Sequence, residues 1–275
     1  MLESLARQDL PEGVAVEVIV VDNDPQGSAA EALRPWQDGP HALRLFREPR
    51  PNVAHVRNRA VEAAGGTWLA FIDDDEIADE GWLAAYWSCR DARDGWFGPV
   101  LPRLERNVTP WLDLEGFYAR PRHASGASIA AADARTGNAF VRRDLLATRA
   151  FDPAYGDPAA HAEDHVLFAR LLSDGARFGW CDEAIVTEIV PPANHRLGWL
   201  ARRAFNGGVV SARLAAPRAP GLRVARGAAR TLLGLALAAA VLPVAVLRGR
   251  CAGAQLWLRA CVQAGHLRVL WGRGS

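Results

Sequence analysis

Lysine is absent from the 275 residues: all 32 basic side chains are arginine. A nucleotidyltransferase of the sugar-nucleotide pyrophosphorylase kind, which needs a Gly-rich phosphate loop and a lysine near its N-terminus, is therefore disfavoured. Cysteine is scarce. Cys89, Cys181, Cys251 and Cys261 are widely spaced and contain no CxxC pair, which argues against a zinc cluster or a disulfide framework and for reduced thiols. Met1 to Leu10 carries Glu3, Arg7 and Asp9 and has no apolar core of a secretory signal, which points to the cytoplasmic side. Acids are missing altogether from residues 196–275, which hold 13 arginines, whereas residues 1–195 hold 19 arginines and 31 acids. The net charge of +1 thus hides an acidic domain at 1–195 and a basic region at 196–275. The first repels nucleic acid and anionic surfaces and the second attracts them. Half of all residues are hydrophobic and 23% are charged, which suits a packed core.

Val14 to Val21 is a β-branched apolar run that stops at Asp22-Asn23-Asp24-Pro25, the pattern of a buried strand with a polar loop at its end. Ser28 to Leu33 predicts a helix, His41 to Phe46 a strand, and Asn52 to Ala64 a helix halted by Gly65-Gly66. Trp68 to Ile72 predicts a third strand running into Asp73-Asp74-Asp75-Glu76, and Trp82 to Arg90 the next helix. Residues 100–135 lack periodicity and read as loops. Ala139 to Arg142 and Ala184 to Val190 predict strands, and Glu163 to Leu172 a helix. Strand and helix alternating at this spacing predict an α/β domain with a mostly parallel sheet, whose ligands collect at the carboxyl ends of the strands. Both acidic clusters, 22–24 and 73–76, lie at such ends.

Beyond Asn194 the composition changes. Leu197 to Leu214 and residues 251–272 interleave arginine with Trp, Leu, Phe and Val, and Leu232 to Leu247 is a 16-residue apolar run flanked by arginines. A full bilayer span needs about 20 apolar residues. The run therefore either spans or lies in the membrane surface. Basic amphipathic helices favour attachment at the headgroup boundary, with a helical hairpin packed on the main domain as the alternative.

Three adjacent carboxylates at a strand end repel one another, and a hard divalent cation with oxygen ligands is the natural compensation. In an extended segment Asp73 and Asp75 point the same way, so both address one ligand while Asp74 faces elsewhere. The alternative is a solvated acidic turn. Asp164 begins a predicted helix, where it serves either as a cap or as a base kept ionised by the helix dipole. Gly137 offers close backbone approach and Asn138 an amide, or the two form an ordinary turn.

The segments Arg57-Asn58-Arg59-Ala60, Phe71-Ile72-Asp73-Asp74-Asp75, Trp82-Leu83, Thr136-Gly137-Asn138, Arg142-Arg143, Glu163-Asp164, Trp180 to Ala184 and Pro191-Pro192 occur in an order that resembles the family 2 glycosyltransferases of GT-A fold, over about residues 2–205. The resemblance implies an inverting transfer of a sugar from a nucleotide diphosphate. It implies that Asp22 and Arg57 lie near the nucleotide base, that Asp73 addresses the ribose, and that Asp75 with Asp73 holds Mg²⁺ or Mn²⁺ on the diphosphate. Asp164 becomes the general base, with Glu163 beside it. Asp74, Gly137 and Asn138 then line the donor site. Arg202 closes over the diphosphate or faces lipid phosphates.

In that family a first strand precedes the helix that here begins at Leu2. The sequence-based expectation is that the natural start lies upstream of Met1; the other reading is an incomplete donor pocket. The resulting picture is a metal-dependent enzyme at the cytoplasmic face of the membrane, peripheral or re-entrant. It acts on a lipid-linked or polysaccharide acceptor, uses residues 197–272 to meet the membrane surface, and does not bind nucleic acid. The competing picture is an inactive nucleotide-sugar or glycan-binding partner of a membrane assembly.

Overall fold

The computed structural model describes residues 1–106, 109–156, 162–215 and 249–271, with scattered positions between 229 and 246. It divides into two units, Met1–Arg103 with Arg120–Ile189, and Leu104–Ala119 with Val190–Ser275.

The first unit opens with α1 (Leu2–Ala6), β1 (Glu17–Asp22), α2 (Ala29–Leu33), β2 (Ala42–Arg47) and α3 (Val53–Ala63). β1 and β2 form a two-stranded parallel sheet with Asp22 opposite Arg47. α3 starts where Asn52 accepts a hydrogen bond from the Ala54 N–H, a side-chain cap that satisfies one otherwise unpaired helical donor. Next come β3 (Trp68–Ile72), β4 (Glu76–Ala78), α4 (Trp82–Cys89), β5 (Gly95–Phe97) and β6 (Val100–Leu104). After the excursion that contains α5 (Leu114–Tyr118), the unit resumes with β7 (Asn138–Arg142), α6 (Arg143–Ala147), α7 (Glu163–Ser173), β8 (Phe178–Trp180) and β9 (Val186–Val190).

A four-stranded sheet has the order β3-β7-β5-β8, and a three-stranded sheet the order β4-β9-β6. β7 runs antiparallel to both β3 and β5, β5 runs parallel to β8, and β4 runs antiparallel to β9. The sheets are thus mixed rather than mostly parallel. β7 arrives from a long excursion instead of a helical crossover, so nothing obliges it to follow the direction of β3. Its register sets Asn138 against Ile72, which carries Thr136-Gly137 to the end of β3 where the aspartates begin. Residues 100–135, read from sequence as loops, contain β6 and α5.

Two apolar clusters hold this unit. Phe97, Phe168 and Phe178 meet edge to face at centroid separations of 4.9 to 5.7 Å, and Phe140 is stacked between Trp68 and Tyr86. Burying each such ring contributes roughly 1.5–3 kcal/mol.

The second unit contains α5, α8 (Leu197–Ala215) and α9 (Arg250–Trp271). Leu112, Leu114, Tyr118, Val190, Leu200, Ala204, Ala254 and Leu258 form its core. This core explains why the boundary falls at 189/190 rather than at 195/196, and why residues 104–119 belong with the C-terminal helices: Thr109 donates to the His195 carbonyl and Tyr118 to that of Asn194. α8 and α9 touch backbone to backbone. A Cβ at Gly208 would lie 2.0 Å from the Val262 carbonyl oxygen, and one at Gly265 equally close to that of Phe205. Among the described residues no helix is long and apolar enough to cross a membrane. Most of the apolar run at 232–247 lies outside the described residues; within it Leu232, Leu233, Val241 and Val246 are exposed.

Candidate active site

β3 ends at Ile72 and the chain turns at once, closed by the Glu76 N–H on the Asp73 carbonyl at 3.1 Å. The aspartate triplet is therefore a turn and not the extended segment expected from sequence. The chain must reverse within three residues so that β4 can pair with β9. Asp73 is half-buried and Asp74 and Asp75 are exposed. Glu76, only 1% exposed, accepts the Asp73 N–H on Oε2 at 3.0 Å, and its Oε1 has no hydrogen-bond partner.

Burial raises the proton affinity of Asp73, with Asp164 and Asp74 adding to it and Arg57 and Arg120 opposing it. Partial desolvation by its neighbours raises exposed Asp75 too, reinforced by Glu188, Asp73 and Asp74. Glu76 is pushed up to about 8 by burial and then by Asp73. These groups are carboxylates short of positive charge, the condition that a cation relieves.

Two helices close the site from the side. α3 carries Arg57, which pairs with Glu163 at the start of α7 and lies 3.9 Å from Asp73. Glu163 is completely buried, with Oε1 on Arg57 and Oε2 unpartnered. This corrects its assignment as a catalytic group: it anchors Arg57 and has no surface open to a substrate. Asp164, the next residue, is 9% exposed. Its Oδ1 accepts the His165 N–H at 2.7 Å and faces His165 Nδ1 at 2.8 Å, while Oδ2 receives the N–H and hydroxyl of Thr136 at 3.3 and 3.4 Å. Burial works to raise its carboxyl, but the hydrogen bonds and charge of His165, together with Arg57, outweigh it and hold the group well below the usual carboxylate range.

Gly137 completes the floor. A Cβ there would lie 3.1 Å from Glu76 Oε1, 3.2 Å from Asp73 Oδ2 and 3.6 Å from Arg120 Nη1, so the missing side chain keeps the space between the carboxylates and that guanidinium open. Asn138 is a second correction. It is 2% exposed, its Oδ1 accepts from Trp82 and Tyr86, and its Nδ2 donates to the Pro99 and Ala184 carbonyls. With every polar valence engaged inside the protein, its amide has none left for a ligand.

Arg120 escaped sequence reasoning. It donates to Glu188, which faces Glu76 across the β4–β9 register, and it eases the charge on both Asp73 and Glu76. One arginine in an aperiodic stretch that holds several carries no signal that marks it. Asp22 sits at the end of β1, where its carboxylate accepts the Asp24 and Ala29 N–H groups and fixes the loop into α2. It belongs to the two-stranded sheet and is not among the groups that contact Arg57. Arg202 lies exposed on α8 of the second unit.

Among the described residues no three His, Cys, Asp or Glu side chains converge as a ready-made metal centre. The donor set nevertheless suits Mg²⁺ or Mn²⁺, which commonly takes only one or two protein carboxylates and completes its shell with water and phosphate oxygens. Asp73 and Asp75 are the candidates, and the unpartnered Glu76 oxygen marks the cation-poor side.

The glycosyl transferase family 2 model matches residues 1–146. The succinoglycan biosynthesis protein ExoM of Rhizobium meliloti (strain 1021) is 33% identical over 288 residues, covering 98% of this chain and 88% of ExoM. Among solved structures, TarS 1-349 of S. aureus superposes with a TM-score of 0.52 at 18% identity, over 75% of this chain and 60% of TarS 1-349. Its complex with UDP gives 0.53 at 16% identity, over 100% of this chain and 87% of that one. GalNAc-T7 with UDP, GalNAc and Mn²⁺ gives 0.50 at 13% identity, over 76% of this chain and 44% of that one.

Proposed function

This chain belongs to glycosyl transferase family 2 and has the GT-A fold, and on that premise we propose that it is an inverting hexosyltransferase. It moves a sugar from a nucleotide diphosphate to a hydroxyl of a polysaccharide or lipid-linked acceptor. One observation carries this reading: Arg57, Asp73, Glu163 and Asp164, drawn from three distant segments, meet at the carboxyl end of β3. Single displacement at an anomeric carbon needs a base on one side and stabilisation of the leaving group on the other.

Asp164 takes the proton of the acceptor hydroxyl as its oxygen attacks the anomeric carbon and the bond from that carbon to the diphosphate breaks. Arg57, held by Glu163, and Arg120, held by Glu188, set positive charge beside Asp73 where the departing phosphates would lie. Gly137 leaves room for the donor, and Asp22 and Asp74 are assigned to its nucleotide side. Mg²⁺ or Mn²⁺ on Asp75 and Asp73 would supply Lewis-acid neutralisation of the diphosphate. UDP in the TarS complex and Mn²⁺ in that of GalNAc-T7 support the choice of donor and ion, and the role of ExoM in succinoglycan biosynthesis supports a polysaccharide acceptor.

Residues 197–272 are assigned to the membrane surface at the cytoplasmic face. The 13 arginines without an acid at 196–275, and the exposed Leu232, Leu233, Val241, Val246 and Trp257, support that assignment. Exposed Arg202 faces lipid phosphate in this arrangement.

The test is UDP release from a panel of UDP-hexoses by the full chain, with Mn²⁺ or Mg²⁺ and with EDTA. Turnover should need the metal and fall about a hundredfold or more in D164N and D75A. Donor binding without turnover, unchanged by D164N, would replace the enzyme with a binding protein. Sedimentation with anionic but not zwitterionic vesicles tests the assignment of residues 197–272.

A further inference from the structure

We infer that His165 is a positioning residue for the transfer: its Nδ1–H pins Oδ1 of Asp164, so that Oδ2 is the oxygen that takes the acceptor's proton. The inference rests on Asp164 being the base.

Asp164 and His165 are the second and third residues of α7. The backbone N–H and ring Nδ1 of His165 converge on the same carboxylate oxygen at 2.7 and 2.8 Å, and both side chains are largely buried, at 17% exposure for His165 and 13% for Asp164. An ionised carboxylate oxygen only accepts, so the contact requires a proton on Nδ1. Oδ2 is held differently. Its two bonds from Thr136 are long, 3.3 and 3.4 Å, and therefore weak. Thr136 adjoins Gly137, whose open face meets Asp73 Oδ2 and Glu76 Oε1. One oxygen of the base is thus tied down on the helix side, and the other is loosely held on the side of the candidate donor site.

The chemical consequence is orientation. A base must stand within about 2.6–3.2 Å of the proton it removes, and a misplacement of about 1 Å can cost on the order of a hundredfold in rate. A carboxylate free to turn about its Cβ–Cγ bond offers that position only part of the time. The imidazole removes this freedom and does not itself take the proton, which passes from the acceptor oxygen to Oδ2.

The experiment compares H165A, H165Q, H165N and D164N in steady-state transfer, each checked for an unchanged melting temperature. The side-chain nitrogen of asparagine falls where Nδ1 was, whereas that of glutamine falls nearer Nε2. H165A and H165Q should lower kcat about tenfold, as expected for one hydrogen bond to a charged group, with KM for donor and acceptor within about twofold. H165N should recover most of the loss. An unchanged kcat in H165A, or an H165N no better than H165Q, overturns the inference. Nitrogen-15 NMR of the unmodified protein gives an answer that does not depend on any variant folding: a His165 ring carrying a proton on Nδ1 is expected, and one protonated at Nε2 alone overturns it. Full activity in D164N would instead remove the premise that Asp164 is the base, and that outcome is separate from the proton on Nδ1.

Discussion

Arg57 and Glu163, 106 residues apart in sequence, form an ion pair whose carboxylate is wholly buried and whose guanidinium is mostly so. The same guanidinium reaches Asp73 at 3.9 Å, so one side chain ties α3, α7 and the end of β3 together. A buried pair contributes little net stability compared with a well-packed apolar one, but loss of one partner strands the other as an uncompensated charge.

Either E163Q or R57A is therefore expected to lower the unfolding free energy by about 3 kcal/mol. The double variant should lose less than the sum of the two by about 1–2 kcal/mol, because neither charge is then left alone. Urea unfolding of the four proteins measures the cycle. Strict additivity would show that the pair is not coupled. Donor turnover should fall in both single variants, since Arg57 then loses its anchor or its charge.

Asn138 separates structure from catalysis at a motif that had suggested ligand binding. Replacement by alanine removes four hydrogen bonds and strands the Trp82 indole and the Ala184 carbonyl in the interior, whereas the Tyr86 hydroxyl keeps its longer bond to the Asn138 carbonyl and the Pro99 carbonyl keeps the Val186 N–H. At about 1–3 kcal/mol for each group left stranded, N138A should lose several kcal/mol of stability, visible as a large drop in melting temperature. For the fraction that remains folded in the cold, donor KM should match that of the parent protein. A raised KM with unchanged stability would return Asn138 to the binding site.

Much of this was legible in the sequence because it depends on local pattern. The β-branched run ahead of Asp22, the apolar Trp68 to Ile72 ahead of the aspartates, and Glu163-Asp164 at a helix start all lie where the pattern of apolar residues places them, although the N-cap of that helix is Ala162 and no side chain caps it. The pairing of Arg57 with Glu163 was not legible, since nothing along the chain joins α3 to α7. Arg120 was missed for the same reason: its role is defined by Glu188 and Glu76, neighbours only through the β4–β9 register. The aspartate turn was misread as extended because alternation is a property of a strand that continues, and this one ends at Ile72. Asn138 was misread because a polar residue beside glycine has the same one-dimensional signature whether its amide faces a ligand or a tryptophan indole.

Glu48 gives the structure a defined acid limit. It follows β2, is 7% exposed, and accepts from Arg50 Nε at 2.7 Å and Nη2 at 2.6 Å. Its own N–H donates to the Asp22 carbonyl, and its carbonyl accepts from Asn23, so it also fixes the loop that bears Asp22. The bonds from Arg50 hold its carboxyl at about 2, below an ordinary 4.5. Between these values the unfolded chain binds more protons than the folded one, so the stability contributed by Glu48 is complete above pH 4.5 and is lost as the pH falls toward 2. E48Q removes this titration. Its melting temperature should lie below that of the parent at pH 7, and the gap should narrow on acidification through that window. Thermal unfolding at half-unit pH steps from 7 to 3 checks this: parallel curves would show that Glu48 titrates alike in both states, and a converging pair would confirm that Arg50 secures the Asp22 loop through charge.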